Sequence, residues 1–357
     1  MIVYHSLLPP LALISLAGAQ ALDGAWPLGG LLLRGVMLML AVLSAVHHAE
    51  VVAHRTGEPL GTLVLALAVT VIEVALILSF MLMGSSGNAT LARDTLFSAI
   101  MIISNGVVGL CLLVGGWRHK EQVFRVQGVG PALAALLALS TLSLVLPTFT
   151  TSSPEGTYTA SQLVFVALTS LALWCAFTFF QTIRHRDYFL PEDATGNPQT
   201  HAQPPSWLRA GLSLLALLVC LVAVVGLAKQ LSPAIEATIR HWGAPQTLVG
   251  IVIALLVLMP ETLAALRAAK ANRLQTSLNL ALGSALASIG LTIPAVVAVS
   301  IFMGLPLTLG LEPKDLVLMT LAFLLCAVTL GHGRTNVMQG GVHLVVFAAF
   351  LFLSLVP

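Results

Sequence analysis

The sequence predicts an all-α polytopic membrane protein of about 11 transmembrane helices, two inverted five-helix repeats behind an extra N-terminal helix. Three observations predict it. Of 357 residues, 58% are hydrophobic and 8% charged, against about 25% charged in a soluble domain. The apolar residues gather in runs long enough to cross about 30 Å of hydrocarbon. Two glutamates, Glu73 and Glu261, sit inside otherwise uncharged runs, one in each half of the chain.

The apolar runs fall near 6–22, 27–46, 60–83, 95–116, 129–148, 160–182, 207–228, 245–267, 276–302, 315–331 and 341–357. The first ends in Ala-Gln-Ala, like a cleavage site, but the preceding Met-Ile-Val-Tyr-His lacks the Lys or Arg of a signal peptide. It therefore reads as a retained helix, in a segment 1–26. Repeats follow at 27–182 and 207–357, separated by the polar, Pro-containing stretch 183–206. Net charge is +2, which offers no basic field to nucleic acid; the partners implied are the bilayer and small ions. Cys111, Cys175, Cys220 and Cys326 all lie in apolar runs and read as small hydrophobes in helices.

Basic residues set the orientation. With the N-terminus inside, eleven of the 16 Lys and Arg fall in inside loops. That places the N-terminus and the linker in the cytoplasm and the C-terminus outside. Five helices is an odd number, so the second repeat must cross in the opposite sense to the first, as in many secondary transporters. The second helices of the two repeats support the duplication. Gly61 and Gly250 each open an aliphatic run that ends in a glutamate, Glu73 or Glu261.

A charged group at the bilayer centre costs about 2.5–3.5 kcal/mol on insertion scales, so it normally faces a bundle interior or an aqueous cavity. Of 14 acidic residues, Glu73 and Glu261 are the two well inside spans. Pro260 precedes Glu261 and removes a helix hydrogen bond, which predicts a broken helix beside a carboxylate, a pairing that suits a cation. The next helix of each repeat adds neutral oxygens: Ser98, Ser104 and Asn105 in the first; Asn279, Ser284 and Ser288 in the second. Two carboxylates with hydroxyl and amide oxygens suit a hard cation such as Ca²⁺, so Glu73 and Glu261 are the candidate metal ligands. Small residues at these positions equally serve close helix packing. His47, Glu50 and His54 share a helix face and, with Glu58, form either a vestibule for cations or protons or simply a polar cytoplasmic helix end. The stretch from His332 to His343 reads as a polar turn entering the last helix, anchored by Arg334.

At these residues the chain resembles the Ca²⁺:cation antiporter (CaCA) superfamily, and within it the bacterial calcium/sodium/potassium:proton antiporter subgroup of ChaA type. The stretches that carry the resemblance run from His48 to Pro59, Thr70 to Ile77, Arg93 to Ser98, Pro260-Glu261, Leu278 to Ser288, Leu291 to Pro294 and Gly333 to Asn336. It implies alternating access in a bacterial inner membrane, exchange of Ca²⁺ (or Na⁺/K⁺) for H⁺ without a cofactor, and the two glutamates as the acids of the family's two alpha-repeats. Ser98, Asn279 and Ser284 become their neighbours. The wider Gly-Asn-Ala-x-Glu motif is replaced here by Thr-Val-Ile-Glu73 and Leu-Met-Pro-Glu261, and the linker is not acidic or His-rich. A channel or uniporter without proton coupling is the alternative. An intramembrane hydrolase finds no His-Glu-x-x-His or Gly-x-Ser-x-Gly to support it.

Overall fold

The computed structural model describes residues 8–14, 27–57, 60–81, 88–154, 156–189, 205–241, 245 and 247–356. Ten long helices account for most of them: α1 (Pro27–Thr56), α2 (Leu60–Met81), α3 (Leu91–His119), α4 (Val126–Phe149), α5 (Ala160–Arg184), α6 (Trp207–His241), α7 (Thr247–Lys270), α8 (Leu274–Met303), α9 (Pro313–Leu330) and α10 (Val337–Leu355). Among the described residues nine are long and apolar enough to cross a membrane, and α2 carries a shorter apolar stretch, Leu67–Ser79. Of the predicted first helix, residues 8–14 are helical, and the rest lies outside the described residues.

The chain divides into two compact units, residues 1–88 with 202–257, and 89–201 with 258–357. In the first, α1 lies along α6 and α2 packs on both. Ala41, Ala45 and Ala49 recur at helical spacing on α1 and are completely buried, the small-residue stripe that lets membrane helices approach closely. At one end of the α1–α6 pair Arg34 Nε donates to Gln230 Oε1 (3.0 Å), and at the other the Arg55 guanidinium stands 4.2 Å over the Trp207 ring.

In the second unit α3 packs against α10, and α8 against α5 and α4. Two crossings are glycine-made. A Cβ on Gly340 would meet the Leu113 amide nitrogen at 2.3 Å, and one on Gly290 would meet Trp174 Cβ at 2.6 Å. Helices α5 and α10 open with the same capping box, Thr159 with Gln162 and Asn336 with Gln339.

Three expectations are corrected. The fold is not purely helical: β1 (Glu121–Val123), after α3, pairs antiparallel with β2 (Arg334–Asn336), before α10, with Gln122 opposite Thr335. The expected polar turn is a turn only over 331–333 and continues as strand β2, and His343 lies buried within α10. Thirdly, α7 continues through Pro260 unbroken. Proline removes one bond, but unpaired backbone groups are so costly at membrane depth that the remaining ladder holds. Helices α3, α4 and α5 each contain a π-helical turn, Ile102–Val107, Thr141–Val145 and Phe180–Arg184. After α5 the chain turns once more (Arg186–Phe189).

Candidate functional site

Glu73 sits in α2 on the first unit and is 2% exposed. One turn on, Leu76 borders a void of about 40 Å³ whose lining, including Leu38, Leu231 and Ile253, is aliphatic; such a void stays dry. Ser98 and Asn105 lie on α3 in the second unit, and every residue of α3 from 91 to 109 is buried. Ser98 Oγ donates to the Asp94 carbonyl (2.5 Å), which leaves its lone pairs available. Asn105 occupies the π turn, with Oδ1 3.2 Å from His343 Nδ1.

The second-half residues are placed differently. Glu261 is half-buried on α7, between Pro260 and a Thr262 whose hydroxyl donates back to Leu258 O at 2.7 Å. Along α8 the half-buried positions Thr276, Asn279, Leu280, Gly283, Ser284 and Ala287 recur at helical spacing, flanked by buried residues. That stripe is accessible, and it carries two predicted residues, Asn279 and Ser284. Ser288, at its far end, is buried. Asn279 is held at both ends of its amide: Nδ2 donates to Phe189 O (2.6 Å) and Oδ1 accepts from Gln275 Nε2 (2.8 Å).

In the predicted vestibule, Glu50 and His54 are exposed and His47 is half-buried with its ring edge-on to His48 at 5.6 Å. His48, not singled out by the pattern, is the buried member. Glu58 lies outside the described residues. Among the described residues, no three His, Cys, Asp or Glu side chains gather to hold a metal ion.

Sequence reasoning missed three polar groupings in the second unit. At the start of α3, buried Arg93 pairs with buried Asp94 (2.8 Å), reaches Gly310 O (3.1 Å), and lies 3.6 Å from Glu312; Asp94 also accepts from Thr90. At the start of α8, Gln275 Oε1 accepts from the Arg125 amide at 2.7 Å while its amide holds Asn279. The third grouping joins His343 to Asn105 and Thr329. A signal for the first two existed. Thr90 precedes Asp94, and Gln275 precedes Asn279, by one helical turn, the spacing at which side chains meet.

Nine helices among the described residues long and apolar enough to cross a membrane, with the Glu73 carboxyl and the Asn105 amide buried in apolar helices, define the class, a polytopic membrane protein suited to ion transport. The profile of the sodium/calcium exchanger protein family matches residues 26–183 and 212–356, and the chain belongs to that family. It is a ChaA-type member of the Ca²⁺:cation antiporter superfamily. A Sinorhizobium fredii protein, y4hA, whose name carries only a provisional description as an ionic transporter, is 49% identical over 92% of this chain and 89% of its own. The sodium-potassium/proton antiporter ChaA of Escherichia coli is 37% identical over 90% of this chain and 87% of its own. The solved structure of the Ca²⁺/H⁺ antiporter protein YfkE superposes with a TM-score of 0.71 at 16% identity, over 100% of this chain and 99% of that one.

Proposed function

We propose that this protein is a secondary active cation:proton antiporter of a bacterial plasma membrane, exporting Ca²⁺ in exchange for H⁺ by alternating access. One observation carries it: Glu73, 2% exposed in the apolar heart of α2, is matched in the other half of the chain by Glu261 in α7. A charged carboxylate at that depth is costly, and in this reading a proton and a cation compete for each glutamate. Ser98, Asn105, Asn279, Ser284 and Ser288 supply neutral oxygens in this reading, and His47, Glu50, His54 and Glu58 flank the cytoplasmic mouth. Na⁺ and K⁺ are the second reading for the cargo, since the 37% identical relative is named for them.

The proposal includes two inverted repeats, 27–182 and 207–357, beyond an N-terminal helix, with the N-terminus and the linker 183–206 inside and the C-terminus outside. Packing within the second unit supports it. Exchanging α3, α4 and α5 for α8, α9 and α10 turns the α3–α10 contact into the α8–α5 contact. The same exchange turns the β1–β2 pairing, between the α3–α4 and α9–α10 links, into the Thr157–Thr308 bridge between the α4–α5 and α8–α9 links.

The test is proton flux in proteoliposomes on addition of Ca²⁺, Na⁺ or K⁺ in turn. Wild type is expected to release protons in response to at least one cation. Glu73→Gln and Glu261→Gln should each lose at least about 100-fold in rate while remaining inserted, about 2.7 kcal/mol or more of lost stabilisation. Cation current without proton movement would replace antiport by a channel.

A further inference from the structure

Helix α10 buries His343 completely, and the exchange scheme leaves it unused. An ionisable side chain at membrane depth reads by default as functional. Both of its ring nitrogens are engaged, Nδ1 at 3.2 Å from Asn105 Oδ1 and Nε2 at 2.9 Å from Thr329 Oγ1. An amide oxygen only accepts, so Nδ1 carries the hydrogen and donates to Asn105. The other end of that amide fits this orientation, since Asn105 Nδ2 faces Met101 Sδ at 3.9 Å. Thr329 has one hydroxyl hydrogen and three acceptors within reach of it, Leu325 O at 2.8 Å, Cys326 O at 3.4 Å and the imidazole Nε2 at 2.9 Å.

The place where His343 binds is itself irregular. Asn105 lies in the π turn Ile102–Val107. Such turns break the i→i+4 ladder and occur frequently at functional sites. The carbonyl of the preceding residue, Ser104, receives the Cys326 thiol at 3.7 Å. Cys326 comes from α9 and His343 from α10, so two helices grip one distorted turn of α3. Losing or moving the π turn would rotate the α3 residues on one side of it by about 100° against those on the other. Ser98 lies before the turn and Asn105 within it.

We propose that His343 is a positioning residue for exchange: it fixes the π turn of α3 through Asn105 and thereby the relative aim of Ser98 and Asn105. The proposal rests on the antiport reading and on those two residues facing the cargo.

Three variants separate its two bonds. In His343→Asn the amide nitrogen takes the place of Nδ1 and keeps the bond to Asn105. His343→Gln reaches toward Thr329 instead, and His343→Leu keeps neither. Each is reconstituted as the full chain, and proton flux is titrated with the cation that wild type exchanges. Half-saturation by that cation is expected to rise about tenfold in the Gln and Leu variants, about 1.4 kcal/mol, and to stay within about twofold in Asn. A purely structural histidine would lower the maximal rate by loss of active protein and leave half-saturation unchanged in all three; that result overturns the proposal, as does an Asn variant as impaired as Leu. Should Leu fail to fold, the Asn–Gln pair decides alone. Absence of cation-coupled proton flux in wild type sinks the antiport reading and this proposal with it, whereas normal wild-type exchange with unaltered half-saturation in the variants sinks only the role of His343.

Discussion

Helices α3 and α8 follow the two glutamate-bearing helices and carry matching polar residues, yet the structure treats them differently. Residues 91–109 of α3 are buried without a break, while α8 keeps an accessible stripe through Thr276, Asn279 and Ser284. The glutamates follow the same division: Glu73 is 2% exposed and Glu261 half-buried. Chemistry at the helix starts differs too. A buried ion pair, Arg93 with Asp94, anchors α3, whereas neutral amides, Gln275 and Asn279, anchor α8. Similar sequences can therefore be sealed in one half of the chain and accessible in the other.

The largest effect that would sharpen this contrast is at the acids, where Glu73→Gln and Glu261→Gln should be equally damaging despite their unequal exposure. Retained exchange in only one of them would make the two halves functionally distinct. Next in size, removing Asp94 strands a buried guanidinium. Asp94→Leu should cost about 3–5 kcal/mol, read as a fall in melting temperature in detergent, with half-exposed Glu312 at 3.6 Å from Arg93 limiting the loss. The helix crossings come third. Gly340→Ala drives a Cβ into backbone and should destabilise by about 1–3 kcal/mol, while Gly341→Ala, with nothing within 4 Å, serves as the neutral neighbour. On α8, Gly290→Ala against Gly283→Ala repeats the experiment, Gly283 also having open space. An effect of similar size is expected for Gln275→Leu, which leaves the Arg125 amide and the Asn279 oxygen without this partner, about 1–3 kcal/mol.

Accessibility offers an independent check on the same contrast. With exposed Cys175 replaced by Ala, Ser284→Cys should react with a small thiol reagent at least about tenfold faster than Ser98→Cys. Equal rates would erase the distinction between the two helices.

Much of this protein was legible in its residues. Ten helices lie where hydropathy puts them, because twenty or so apolar residues have few alternatives to a span. Glu73 and Glu261 stood out because a carboxylate in an apolar run is costly in any fold. Pro260 misled for a related reason: local chemistry predicted a break, but the surrounding helix had more bonds to lose than one proline removes. His343 looked like part of a turn because its neighbours Arg334, Asn336 and Gln339 are polar; its burial came from helix packing around α3.

Composition and the two isolated acids determined by themselves the class, the helix positions and the residues on which exchange is proposed to depend, since hydrophobic transfer and charge burial act through each residue's own chemistry. Tertiary structure alone decided which helix is sealed, where α3 adopts a π turn, and that His343 meets Asn105. Those outcomes depend on contacts between residues more than 200 positions apart in sequence, as the 238-residue separation of His343 and Asn105 shows, and no local pattern encodes them.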